Sequence, residues 1–282
     1  MTINTICICG AGTMGSGIAQ TCAQAGFFTL VYDVTSAMLD KAGAAIQNNL
    51  QSLEDKGKLT AGEKENLFKR IQFTSDIQSC LADVFIEAIV ERTDMKIALF
   101  NQLAELNHSE CIFATNTSSL PVTEIASAVI NPQRVIGMHF FNPATIMKLV
   151  EVVNTEYTNA DITHTIIELA KQLGKIPVVC ADSPGFIVNR VARPYYIESL
   201  RIAEEGSVSM EQLDSLMEAS GFKMGPFRLM DLIGNDVNYA VSCSVYEQMG
   251  RVERLKPSLI QEKKVKEGKL GRKSGEGYYK YR

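Results

Sequence analysis

Apolar positions come in short unbroken runs along the earlier part of the chain and at helical spacing along the rest. Ile3–Cys9 is such a run, followed at once by GAGTMGSGIAQTCAQAG, which predicts a helix closed by Gly26. Phe27–Tyr32 is the next run and ends at Asp33. Strand, glycine turn, helix, strand and acid in that order predict a βαβ unit. From Ser36 to about Phe68 the pattern turns helical, with Met38, Ala42, Ile46, Leu50 and Leu53 recurring at nearly four-residue spacing. The break at Lys56-Gly57-Lys58 and the capping-box pattern from Thr60 to Glu63 predict two helices. This insertion, about 36–70, exceeds what a crossover needs, and is either a ligand wall or a structural hairpin. Strand-like runs resume at Val84–Val90, Cys111–Ala114, Val135–Met138, Lys148–Val153 and Ile176–Val179, with a helix around Asp94–Leu106 and another between the last two strands. After Asp182-Ser183-Pro184-Gly185 these runs cease, and helical segments continue to roughly residue 267. The expected fold is α/β: a doubly wound Rossmann-type sheet over 1–184, then a smaller all-helical domain over 185–282.

Composition narrows the function classes. With 46% hydrophobic and 21% charged residues the chain can bury a real core. A net charge of −4 argues against nucleic acid as a partner. No apolar run is long enough to cross a bilayer, so no membrane association is expected. MTINTICICGAG has no basic region or cleavage site, so no signal peptide is expected. The seven cysteines are scattered without paired CxxC spacing, which favours a reduced, cytoplasmic setting and no metal site.

Gly10-Ala11-Gly12-Thr13-Met14-Gly15 is a GxGxxG placed after a strand and opening a helix, where the motif has a mechanism. Gly10 permits a tight turn, Gly12 admits a pyrophosphate to the backbone, and Gly15 lets helix and strand pack closely. Asp33, at the end of the second strand, can accept bonds from the adenosine ribose hydroxyls and would repel a 2′-phosphate. NAD is therefore expected over NADP.

Oxidation of an alcohol by a nicotinamide needs a base of near-neutral pKa, and histidine suits it. His139, in GMHFFNP, sits at the carboxyl end of a strand, where open α/β sheets bind ligands. His108 and His164 lie in polar surroundings and are expected at the surface. Glu151 stands amid apolar neighbours in KLVEVV; it is either an edge glutamate facing water or the carboxylate that orients His139. ATNTSSLP adds hydroxyls and an amide at the same sheet edge. DSPGFIVNR opens the helical domain, with Pro184 near the first helical turn and Asn189 about one turn in.

Together GAGTMGSGIA, NTSSLP, GMHFFNP, MKLVEVV, PGFIVNR, MGPFRLMDLIG and LGRKSGEGYY resemble the L-3-hydroxyacyl-CoA dehydrogenase family over essentially the whole chain, specifically its free-standing bacterial 3-hydroxybutyryl-CoA members. The resemblance implies NAD-dependent, reversible oxidation of an (S)-3-hydroxyacyl-CoA, with the acyl-CoA between the domains. It implies His139 as base paired with Glu151, and Ser118 and Asn189 at the reacting hydroxyl and thioester. Glu91, Lys96, Ser118, Asn142 and Lys273 fall on family positions around the nicotinamide half, with Asn142 also facing substrate. Lys56 falls on the family's CoA-contacting lysine. A homodimer through the helical domain is implied as well. The rivals are a β-hydroxyacid dehydrogenase acting on a free acid, whose relatives use a lysine where this chain has Asn189-Arg190, and an NAD-binding structural protein.

Overall fold

The computed structural model describes residues 2–281, which separate into one compact unit up to Asp182 and a second from Ser183 on. Among the described residues of the first unit, eight strands form one sheet: β1 (Thr5–Cys9), β2 (Phe28–Tyr32), β3 (Ile71–Thr74), β4 (Val84–Glu87), β5 (Ile112–Thr115), β6 (Val135–Phe140), β7 (Leu149–Asn154) and β8 (Ile176–Ala181). Their order is β3-β2-β1-β4-β5-β6-β7-β8, the open doubly wound arrangement expected. The central strands carry buried side chains on both faces, which is why their sequences read as unbroken apolar runs rather than alternations. Helices α1 (Thr13–Gln24), α2 (Ser36–Asp55), α3 (Ala61–Phe68), α4 (Thr93–Leu106), α5 (Val122–Ser127) and α6 (Ala160–Gln172) connect them.

Four features depart from the sequence expectation, each for a local reason. β3 was not anticipated: IQFT is short, half polar and packed only on the outer edge of β2, so its pattern is faint. β4 ends at Glu87 instead of Val90, because the Glu87 carboxylate accepts the Ile89 N–H at 2.7 Å and turns the chain. β7 runs antiparallel to β6 and breaks the parallel rhythm. Finally, the helix that DSPGFIVNR opens begins at Val188, not near Pro184. Gly185 and Phe186 both adopt left-handed φ, at 71° and 49°, and no helix passes through two such residues. Asn189 is thus the second residue of that helix.

The second unit holds α7 (Val188–Glu204), α8 (Met210–Ala219), α9 (Pro226–Ile233), α10 (Asn235–Gln248) and α11 (Leu259–Lys266). Tyr196, Leu200, Leu213, Phe227 and Met230 form its small apolar core. Two buried aspartates extend what that core can hold. Asp214 accepts the N–H groups of Phe227 and Arg228 at the start of α9 and the Tyr279 hydroxyl at 2.7 Å. Asp231 accepts the N–H groups of Tyr278 and Tyr279 and the Tyr281 hydroxyl. A Cβ on Gly277 would lie 1.9 Å from the Asp231 carboxylate, so only glycine lets the terminal strap approach. LGRKSGEGYY is therefore bound to the helices by charge-assisted hydrogen bonds as much as by apolar packing.

Candidate active site

The glycine turn after β1 is formed as its sequence suggests. Gly10 has φ 108°, and a Cβ on Gly15 would lie 1.8 Å from the Gly10 carbonyl oxygen, so helix and turn touch through bare backbone. Above Gly12 the opposite holds: an added Cβ would meet nothing within 4 Å. Thr13 and Met14 open α1, which has no side-chain cap at Gly12. A tight turn, open space over the middle glycine and an uncapped helix N-terminus fit a dinucleotide pyrophosphate. Asp33 does a further job: its carboxylate accepts the Ala11 N–H at 2.9 Å and the Thr35 N–H at 3.0 Å, fastening the glycine turn to the end of β2. A carboxylate has lone pairs left for ribose hydroxyls after those two bonds.

β6 brings His139, and β7 brings Glu151 directly opposite it in the antiparallel register. Side chains of such a pair point to the same face. His139 Nδ1 and Glu151 Oε2 lie 2.7 Å apart, with the histidine 4% and the glutamate 0% exposed. The reading of Glu151 as an edge residue facing water is excluded. With Nδ1–H donating to the carboxylate, Nε2 is left as the acceptor, and it lies 3.1 Å from the Ser118 hydroxyl. Phe141 packs its ring against the imidazole, centroids 4.5 Å apart. An imidazole oriented by a carboxylate, with a hydroxyl at its Nε2, is suited to moving a proton to or from an alcohol.

Ser118 stands in the turn after β5. Asn116 Oδ1 accepts the Phe140 N–H at 2.8 Å, tying that turn to the strand of His139. Glu91 Oε1 accepts the Ser118 N–H at 3.0 Å and the Thr117 hydroxyl. Behind Glu91 lies a buried acid the sequence reading missed, Glu87. Lys96, itself 1% exposed, pairs with Glu91 at 3.2 Å and with the fully buried Glu87 at 2.6 Å. Glu87 also accepts the Thr115 hydroxyl at 2.7 Å. Burial pushes the Glu87 carboxyl up, and the neighbouring Lys96 ammonium opposes that rise. An acid ending an apolar run, the signal that singled out Glu151, was present in VFIEAIV as well.

Asn142 is exposed at the start of the turn after β6, and its peptide bond to Pro143 is cis. The buried Lys175 holds that turn by donating to the carbonyls of Ala144 and Met147. His108 and His164 are exposed, as expected. Lys56 is exposed at the C-terminus of α2, and the predicted capping box at Thr60 and Glu63 is formed. A groove of about 500 Å3 lies between α2 and α3, lined by Gln47, Asn48, Gln51, Lys64 and Phe68 among others; neither Lys56 nor any residue around His139 lines it. In the second unit, Asn189 lies in the first turn of α7, and Lys273 pairs with Asp236 at 2.7 Å.

Comparison with known proteins adds an independent line. Residues 5–183 match the model of the 3-hydroxyacyl-CoA dehydrogenase NAD-binding domain, and residues 185–281 that of the same family's C-terminal domain. The 3-hydroxyadipyl-CoA dehydrogenase of Escherichia coli is 46% identical over 284 residues, covering all of this chain, which spans 60% of that protein's length. The 3-hydroxybutyryl-CoA dehydrogenase of Clostridioides difficile is 40% identical over 278 residues, covering 98% of this chain and 99% of that one. The crystal structure of (S)-3-hydroxybutyryl-CoA dehydrogenase from Ralstonia eutropha superposes with a TM-score of 0.94 at 36% identity, covering both chains fully.

Proposed function

Because the chain belongs to the 3-hydroxyacyl-CoA dehydrogenase family, we propose that it interconverts short (S)-3-hydroxyacyl-CoA and 3-oxoacyl-CoA thioesters with NAD, 3-hydroxybutyryl-CoA among them. The observation that carries this reading is the buried relay from Ser118 through His139 to Glu151. In the oxidative direction Ser118 places the substrate hydroxyl at His139 Nε2, which takes its proton. Glu151 keeps Nδ1 protonated and balances the imidazolium while it lasts. Bound NAD supplies the hydride acceptor. Gly10, Gly12, Gly15 and Asp33 hold the adenosine and pyrophosphate end, while Glu91, Lys96, Asn142 and Lys273 serve the nicotinamide end. Asn189 contacts the thioester region and Lys56 the CoA nucleotide.

A homodimer through the second unit belongs to the same reading, supported by exposed apolar side chains there such as Val191, Leu216 and Phe222. So does a cytoplasmic location, supported by seven cysteines that are all free thiols. Among the described residues no helix is long and apolar enough to cross a membrane. The test is turnover of acetoacetyl-CoA with NADH by the purified protein. Oxidation of NADH that depends on the thioester is expected; no turnover of that substrate, with activity on a free 3-hydroxy acid, would overturn the reading.

A further inference from the structure

Glu87 ends β4 between β1 and β5 and is 0% exposed. Three donors meet its carboxylate: the Lys96 ammonium at 2.6 Å and the Ile89 N–H at 2.7 Å on Oε1, and the Thr115 hydroxyl at 2.7 Å on Oε2. From there two routes lead to the turn of Ser118. Along the first, Lys96 also pairs with Glu91 Oε2 at 3.2 Å, and Glu91 Oε1 accepts the Ser118 N–H at 3.0 Å and the Thr117 hydroxyl. Along the second, the Thr115 hydroxyl that donates to Glu87 accepts the Thr117 N–H at 3.3 Å, and the Glu87 carbonyl accepts the Asn116 N–H at 2.8 Å. Thr115 and Asn116 are thus bonded to Glu87 itself, and Thr117 and Ser118 to the acid that shares its lysine.

An ion pair of this kind has an ordinary explanation, that it only packs the junction of β4 and α4. Stability alone does not account for it, since apolar side chains of similar volume often fill such a space as well as a buried pair does. What apolar side chains could not do is hold Glu91. The Glu91 side chain is 41% exposed and would otherwise turn to water, whereas Lys96 is 1% exposed and is fixed by Glu87. The direction of Glu91, and with it the place of the Ser118 N–H, is therefore set from within the sheet.

We propose that Glu87 is a positioning residue for Ser118: it fixes Lys96 and Thr115, and these hold the turn that presents the Ser118 hydroxyl 3.1 Å from His139 Nε2. The inference rests on the function proposed above, in which Ser118 places the substrate hydroxyl. Misplacing that serine weakens alignment in the transition state and not the grip on CoA, so the effect belongs in kcat.

The test is turnover of acetoacetyl-CoA with NADH, at a temperature where circular dichroism shows each variant folded. Glu87→Gln is expected to lower kcat about 10- to 100-fold, the worth of a small misplacement at a reacting group, with KM for acetoacetyl-CoA little changed. Glu87→Asp, which keeps the charge, should recover part of the loss. Ser118→Ala supplies the decisive background: if Glu87 acts through Ser118, adding Glu87→Gln to it costs nothing more. Thr115→Val cuts the second route and leaves the ion pair in place. It should lower kcat by a smaller factor and add nothing to Ser118→Ala, and it carries the test should Glu87→Gln not fold. Wild-type kcat in Thr115→Val or in a folded Glu87→Gln would overturn the proposal, as would double variants that lose the product of the single effects. No turnover of acetoacetyl-CoA by the wild type would instead overturn the function proposed above, and this inference with it.

Discussion

His139 and Glu151 are direct cross-strand partners, and they meet at 2.7 Å because β7 returns antiparallel to β6. In that register one residue of slip would send Glu151 to the other face of the sheet. The pairing is thus specified by the sheet itself and not by a flexible loop. His139→Ala is expected to fold and bind NAD while losing about 100- to 10,000-fold in kcat, the usual range for a general base. Glu151→Gln should lose much of the same activity. Kinetics of the two single variants and the double variant check the coupling: a double variant that loses the product of the single effects would mean the two side chains act independently.

Asp33 holds the Ala11 and Thr35 N–H groups, and in the function proposed above it also receives the ribose. NADH should be preferred to NADPH, since a 2′-phosphate would meet an uncompensated carboxylate. Comparing kcat/KM for the two cofactors decides this, and a preference for NADPH would refute it. Asp33→Ala should weaken both cofactors, because the glycine turn loses its anchor as well.

Lys56 is exposed and far in sequence from the reacting groups. A phosphate contact there is equally strong in ground and transition states, so Lys56→Ala should raise KM for acetoacetyl-CoA and leave kcat nearly unchanged. The effect should shrink at high salt. With acetoacetyl-pantetheine, which lacks the nucleotide, wild type and variant should behave alike; an equal loss on that short substrate would make the lysine structural.

Glu87 shares Lys96 with Glu91, and Lys96 has no water to fall back on. Glu87→Gln should cost about 3 kcal/mol, because removing one partner strands a buried charge. Replacing the buried pair together, as Glu87→Leu with Lys96→Met, should cost less stability than the single change. Thermal denaturation of both proteins gives the comparison, and a double variant that melts lower would contradict the account.

Asp231 satisfies two backbone N–H groups and a tyrosine hydroxyl of the terminal strap. Asp231→Ala should destabilise the second unit by about 3 kcal/mol or more, since several buried donors lose one charged acceptor together. Calorimetry should show the loss as a lowered transition, with NAD still bound by the first unit. An unchanged melting profile would show that the strap is held by apolar contacts alone.

Long-range pairing decided what the sequence could show. The βαβ unit, the capping box at Thr60 and the glycine turn rest on neighbouring residues, so local pattern revealed them. Glu151 was noticed because a charge in an apolar run demands a partner, but its register opposite His139 depends on the strand reversal, which no local signal carries. β3 escaped because an edge strand is packed weakly and so need not be apolar. The Glu87–Lys96 pair escaped because its members stand nine residues apart on a strand and a helix. The late start of α7 lay in backbone dihedrals at Gly185 and Phe186, which residue types only loosely constrain.

The strap that ends at Tyr281 also sets a timetable for synthesis. Folding during translation can begin with the first unit, whose sheet is complete once β8 has emerged. The second unit closes later, because Asp214 and Asp231 take donors from tyrosines that follow them by 47 to 65 residues. Until Tyr278, Tyr279 and Tyr281 have been made, Asp231 lacks the donors of the strap and Asp214 lacks its tyrosine hydroxyl, although each already holds donors from the helices. A chain cut before Tyr278 would keep a folded nucleotide domain tethered to helices that cannot close, an open target for quality-control proteases.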